Sequence, residues 1–219
     1  MKNDSKEPVV LEGFGIEIDP DGVRRLLGRR EESAADSRKR LDEALAEALA
    51  RAESLVAPKG IYTVIAGRDL PGSEYFDGLE RVAFCICTIG PALEREVTAL
   101  AARDELLRAV VLDSVGSAAA EAAAEFMDAR IQEEAARDGL KTSCRASPGY
   151  GDWDIREQRA VFDLLPAERI GVRLSESFMM MPRKSVSLAI HIAEKPARMR
   201  SENSCRNCDI EDCPYRLLE

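Results

Sequence analysis

Arg145-Ala146-Ser147-Pro148-Gly149-Tyr150 puts a guanidinium fork, a Pro-Gly turn and an aromatic face into one short stretch. Arginine presents a planar set of donors that can hold a carboxylate through two parallel bonds. Glycine lets a ligand approach the backbone closely, and Pro-Gly sets a turn. The trio suits a flat, zwitterionic small molecule, although the string alone is a weak pattern whose plainer reading is a surface turn with its arginine on a carboxylate. A second chemistry-bearing set is Cys205, Cys208 and Cys213, spaced C-x2-C-x4-C. Thiolates at this spacing suit a zinc ion or an iron–sulfur cluster, with Cys144 or a partner residue as a fourth ligand; unligated thiols are the plain alternative.

The remaining cysteines, Cys85 and Cys87, stand at i and i+2 in Val82-Ala83-Phe84-Cys85-Ile86-Cys87, so on a strand they share one face and pack as small hydrophobes. The six cysteines therefore do not form a disulfide framework. At 219 residues the chain is long enough for one well-cored domain with a small appendage. A formal net charge of -9 and a pI near 4.9 argue against a nucleic-acid surface, which needs clustered Lys and Arg. No apolar run approaches the roughly 20 residues that cross a bilayer, and Met1-Lys2-Asn3-Asp4-Ser5-Lys6 opens without an apolar signal core. The expectation is a cytoplasmic protein with neither nucleic-acid nor membrane partners.

Apolar periodicity places the elements that must carry these residues. Residues 15–19 read as a short strand and 21–27 as a helical turn. A longer helix begins near Ser33, with Leu41, Leu45, Ala48, Leu49, Ala52 and Leu55 recurring at three and four until Pro58. Residues 61–66 and 81–88 read as strands, Pro91 opens another helix, and an Ala-rich helix runs from about 106 to 136 with Gly139 beyond its end. Small residues at Gly116 to Ala120 allow close approach of backbone or ligand, and Glu121 and Glu125 stand one turn apart as a solvated pair or as ligand contacts. Asp154 to Glu157 reads as a capping box opening a helix that ends before Pro166. Residues 171–175 and 185–193 read as strands that pair across Phe178-Met179-Met180-Met181-Pro182, whose methionines read as core filling. His191, in the second of these strands, reads as an ordinary sheet histidine.

Taken in order, Ala120-Glu121-Ala122-Ala123-Ala124-Glu125, Arg145-x-x-x-Gly149-Tyr150, Ser175-Glu176-Ser177-Phe178-x-Met180-x-Pro182 and Ser185-Val186-Ser187 resemble the activation domain of vitamin B12-dependent methionine synthase. That domain carries an A-E-A-F-A-E helix, an R-P-A-P-G-Y loop, T-E-S-x-A-M-x-P and S-V-S in this order. The resemblance spans residues 115–190, and residues 1–110 add compatible elements without a motif. It implies an α+β fold: a twisted, mainly antiparallel sheet with packed helices and the ligand loop on an exposed concave edge. It divides the chain into an activation-domain-like part, 1–198, and a cysteine-containing tail, 199–219.

The resemblance also implies S-adenosylmethionine binding, with Arg145 on the ligand carboxylate, backbone near Ser147 and Gly149 on the adenosine, Tyr150 facing ligand or corrin, and Glu121 accepting from the ammonium. Asp19 is a candidate for a further ligand contact made near the start of the family domain. Transfer of a sulfonium methyl to reduced cobalt requires no proton from the protein, so no catalytic acid or base is expected. The chain has one histidine and no D-x-H-x-x-G cobalt-ligating motif, so cobalamin must be carried by a partner: a corrinoid-binding protein, or a methionine synthase lacking its own activation domain. The implied role is an accessory one, reductive methylation of that cobalamin in trans. The competing readings are a non-enzymatic subunit that docks on a corrinoid protein, and a metal-held scaffold, neither using S-adenosylmethionine. Ala146, Ser147 and Gly151 depart from the family loop, which predicts a looser loop, and the aromatic that follows S-V-S in the long enzymes has no counterpart.

Overall fold

The computed structural model describes residues 7–28, 35–72 and 74–197. Its frame is an antiparallel sheet in the order β1-β2-β3-β7-β4, built from β1 (Val9–Glu12), β2 (Lys59–Ala66), β3 (Arg81–Thr88), β4 (Lys141–Thr142) and β7 (Ser185–Ala193). The helices α1 (Pro20–Leu26), α2 (Ala35–Leu55), α3 (Ala92–Ala102) and α4 (Leu106–Arg137) pack with one face of this sheet, and α5 (Gln158–Leu164) belongs to the opposite side. A two-stranded ribbon of β5 (Arg173–Leu174) and β6 (Met180–Met181) completes the α+β fold. Among the described residues no helix is long and apolar enough to cross a membrane.

Alternation on β3 sends successive residues into two separate cores, which explains why Val82 to Cys87 is apolar without interruption. Ala83, Cys85 and Cys87 join the helix-side core with Leu112, Val115 and Ala119 of α4, whereas Val82, Phe84 and Ile86 join the other core with Trp153, Val161 and Ile170. Both faces are covered, so neither can be polar. Cys85 and Cys87 thus pack as hydrophobes on one face, as their spacing predicts. Burial pushes both thiols up, Cys87 to about 12.

The N-terminal segment differs from the expected strand at 15–19. The strand lies earlier, at β1, because Gly13 turns the chain with a φ of 65° and donates its N–H to Pro58 O. Phe14 then leaves the sheet to stack on Phe126 of α4, with centroids 4.1 Å apart. Asp19 caps α1, its carboxylate accepting from the N–H groups of Asp21 and Gly22 and from Arg25. These donors hold its carboxyl below the usual range.

Residues 171–175 and 185–193 do not pair with each other. Met179 N–H bonds Ser175 Oγ, and Phe178, at a φ of 61°, turns the chain back so that Arg173 faces Met181 and Leu174 faces Met180. That reversal consumes the ribbon's pairing and leaves β7 to β3 on one edge and β4 on the other. Alternation on β6 also corrects the core-filling reading of the methionines: Met180 packs against the second core, while Met179 and Met181 are exposed.

Close approach of α3 to α4 depends on Gly116, where a Cβ would come within 2.5 Å of Leu93 Cδ2. Gly116→Ala is therefore expected to destabilise the protein by about 1–2 kcal/mol despite alanine's higher helix propensity. Urea unfolding of G116A, L93A and the double variant checks this: the cost of G116A should shrink in the L93A background, and simple additivity would refute the steric account. Brief alkylation followed by peptide mapping should label the exposed Cys144 while Cys85 and Cys87 stay unmodified until the chain unfolds.

Candidate functional site

Residues 143–153 form the loop that carries the sequence-predicted ligand residues, and it is fastened along β7. Ser143 N–H donates to His191 O, His191 N–H donates to Ser143 Oγ, and Ala146 and Ala189 exchange both backbone hydrogen bonds. At Ala146, where the family has proline, the alanine supplies an N–H to Ala189 O that a proline would lack. Ala146 is buried in the Trp153 core. By strand alternation its neighbour Arg145 projects to the helix side of the sheet, where it meets Glu121 of α4.

The Arg145 side chain is 13% exposed, against 55% for Glu121. One guanidinium nitrogen, Nη2, donates to Glu121 Oε1. The other, Nη1, is buried without a hydrogen-bond partner. An unpaired donor on a buried cation is costly, so the fork has one arm held by the protein and one whose acceptor is missing. The charge is felt in the neighbouring core, where it draws the Cys87 thiol down against the larger effect of burial.

Beyond Ala146 the loop folds on itself. Ser147 and Pro148 are buried, Gly149 N–H donates to Trp153 O at 2.7 Å, and Tyr150 N–H donates to Ser147 O. Gly149 has a φ of 89°, and a Cβ there would stand 3.1 Å from Ile155 Cδ1. Both observations account for glycine at this position. Tyr150 is 60% exposed and so presents its ring outward. Trp153 anchors the loop's far end by stacking on Tyr75 and donating its indole N–H to Glu157. Asp154 caps the following turn through Arg156 N–H, while the Glu157 carboxylate takes the Trp153 indole instead, so the predicted capping box is not formed.

Sequence reading missed several residues that shape the site. Lys184, 12% exposed, reaches α4 through Asp113 Oδ1 at 2.9 Å and Ser117 Oγ at 2.8 Å. Asp113, Ser117 and Glu121 follow one another at four-residue spacing, so Lys184 and Arg145 grip successive turns of one stripe. Glu94 of α3 accepts from Lys184 N–H and fixes the Pro182–Lys184 bend. Of the S-V-S motif, Ser185 donates to Pro182 O and Thr88, while Ser187 bonds the buried Gln158, whose amide donates to Phe178 O. These serines hold the bend and the ribbon in place. Glu125 is exposed on α4. His191 is buried, with Nδ1 accepting from Ala197 N–H at 2.9 Å and Nε2 without a partner.

Cys205, Cys208 and Cys213 lie outside the described residues. Among the described residues, no group of three or more His, Cys, Asp or Glu side chains could hold a metal ion. Cys144 is exposed beside Arg145.

The architecture is similar to that of a crystal structure of the MetH reactivation domain bound to AdoHcy, with a TM-score of 0.62 at 16% identity, covering 89% of this chain and 81% of that one. The family model for the vitamin B12 dependent methionine synthase activation domain matches residues 74–212, reaching upstream of the motifs that begin near 115 and on into the cysteine segment. With that match extending over well more than half of its length, the chain belongs to the vitamin B12 dependent methionine synthase activation-domain family.

Proposed function

We propose that this protein binds S-adenosylmethionine at the Arg145 loop and serves in trans in the reductive methylation of a cobalamin held by a corrinoid protein or by a methionine synthase lacking its own activation domain. The observation that carries this reading is the half-satisfied Arg145 fork, with Nη2 on Glu121 and Nη1 buried and partnerless. A ligand carboxylate supplies the missing acceptor for Nη1, and Glu121, still largely exposed, can accept from the ligand ammonium. A single acid–base pair then recognises both ends of an amino-acid head group.

The remaining roles follow from position. Backbone at Ser147 and Gly149 takes the adenosine portion, with Gly149 kept small by its left-handed conformation. Tyr150 faces outward, toward the side from which a partner must come. S-adenosylmethionine brings the electrophilic methyl sulfonium, and the partner's corrinoid is its acceptor. The chain itself binds, orients and excludes water, and no residue of the loop is assigned to proton transfer. Lys184, Asp113 and Ser117 brace the Pro182–Lys184 bend beside the same stripe of α4.

Calorimetry of the full chain with S-adenosylmethionine tests the reading. Arg145→Ala should weaken binding by about 2–4 kcal/mol, roughly thirty- to a thousand-fold in Kd, since it removes the charged partner and leaves the ligand carboxylate unpaired. Absence of binding to the unaltered chain would sink the proposal, and if the chain nevertheless captured a corrinoid protein the docking-subunit reading would replace it. The C-x2-C-x4-C spacing supports an iron–sulfur cluster or a zinc ion as a second component. Anaerobic purification with metal analysis should find iron or zinc in stoichiometric amount; a colourless, iron-free protein would exclude any role for the tail in passing an electron to cobalt.

A further inference from the structure

A second concavity lies along α4, far from the Arg145 loop. Glu121 and Glu134 are 13 residues apart (134 − 121), which on a helix rising 1.5 Å per residue is about 20 Å. The cavity has a volume of about 140 Å³ and lies, open to solvent on one side, between the C-terminal half of α4 and the helix-side face of the sheet. That is close to the roughly 150 Å³ of an engineered apolar cavity that holds benzene.

Its lining changes character from floor to mouth. Tyr62 is buried, and its hydroxyl donates to Glu134 at 2.5 Å. Val64, Ile131 and Ile192 form apolar walls. The mouth carries Arg81 and Asp138, both exposed. Among the described residues neither side chain has a hydrogen-bond or ion-pair partner. Opposite charges thus stand at the rim of an apolar chamber whose one deep polar group, the Tyr62–Glu134 pair, is already formed.

This arrangement discriminates among guests. A pure hydrocarbon would bury the Tyr62–Glu134 pair against apolar atoms, at a cost in lost hydration. A simple amine would be drawn to the acidic charge of Glu134 and Asp138 but face Arg81 unaided, and a simple carboxylate would meet two acidic groups. A guest with both charges on one end and a short hydrocarbon on the other matches every surface. We propose that this cavity binds a small α-amino acid with an aliphatic side chain, its carboxylate on Arg81, its ammonium at Glu134 and Asp138, and its side chain against Val64, Ile131 and Ile192. The site is separate from the Arg145 loop and does not rest on the function proposed for it.

L-Leucine serves as the probe in a methyl-detected NMR titration of the full chain. Saturable shifts are expected at the methyl groups of Ile131 and Ile192. Isoamylamine, which is leucine without its carboxylate, should bind about tenfold more weakly, as should L-leucine to the Arg81→Glu variant. Arg145→Ala should leave L-leucine binding unchanged. The proposal is overturned if L-leucine produces no saturable shifts up to its solubility limit. Equal binding of isoamylamine, or unaltered binding to Arg81→Glu, also overturns it, and so does loss of binding in Arg145→Ala. Because the isoamylamine comparison needs no variant, the test stands even if Arg81→Glu does not fold.

Discussion

Strand β7 is committed on every side, and the placement of both candidate sites follows from that. One edge pairs with β3 over Ser185 to His191, and the other takes β4 and the start of the Arg145 loop through Ala193, Ile192 and Ala189. Its two faces feed separate cores, Leu188 and Ile190 toward the helices and Ala189 toward Trp153. A strand bound in this way cannot slip by one residue without turning Ala146 out of its core and Arg145 into it. The register of a few backbone hydrogen bonds therefore decides which side of the sheet receives the guanidinium. Without that constraint Arg145 and Glu121 would have no reason to meet.

Helix α4 is the second fixed element. Small residues on one side let α3 and the sheet come close: Leu93 packs where Gly116 lacks a Cβ, and Met127 packs where Gly60 lacks one. On the stripe from Asp113 to Glu121 the same helix turns polar and receives Lys184 and Arg145. Further along it returns to apolar contact and then to Glu134 beside Tyr62. A single rigid rod thus offers two chemically distinct surfaces, and each is shaped by what the sheet places opposite it.

Local pattern was a good guide where the physics is local. The bounds of β3, the Ala-rich helix α4 and the shared face of Cys85 and Cys87 all follow from alternation, helical spacing and turn residues that can be read in the chain. The ordered motifs around Arg145, Ser175 and Ser185 were enough to recognise the family. What escaped the sequence depends on distant partners or on side-chain-built turns. Glu94 grips Lys184 across ninety positions, a contact no local pattern encodes. The β5–β6 ribbon rests on a serine hydroxyl and a left-handed Phe178, so alternation alone paired its strand with the wrong neighbour. The cavity beside Tyr62 exists only because β2, β3, β7 and α4 converge there, which is a property of the assembled sheet.

The Ala146 amide has a significance beyond fastening one loop. Its proton is the sole backbone donor that a proline at this position would abolish, and it is answered by Ala189 N–H donating to Ala146 O. A family whose usual residue here is proline obtains its rigidity from a restricted φ, an entropic device that acts even on the unfolded chain. This chain obtains it from an enthalpic one, which exists only in the folded state. The two solutions respond oppositely to conditions. A ring constraint survives heating and denaturant unchanged, while a buried hydrogen-bond pair opens with the sheet that hosts it. The order of the Arg145 loop in this protein is accordingly tied to the integrity of β7, the strand that hosts its hydrogen bonds.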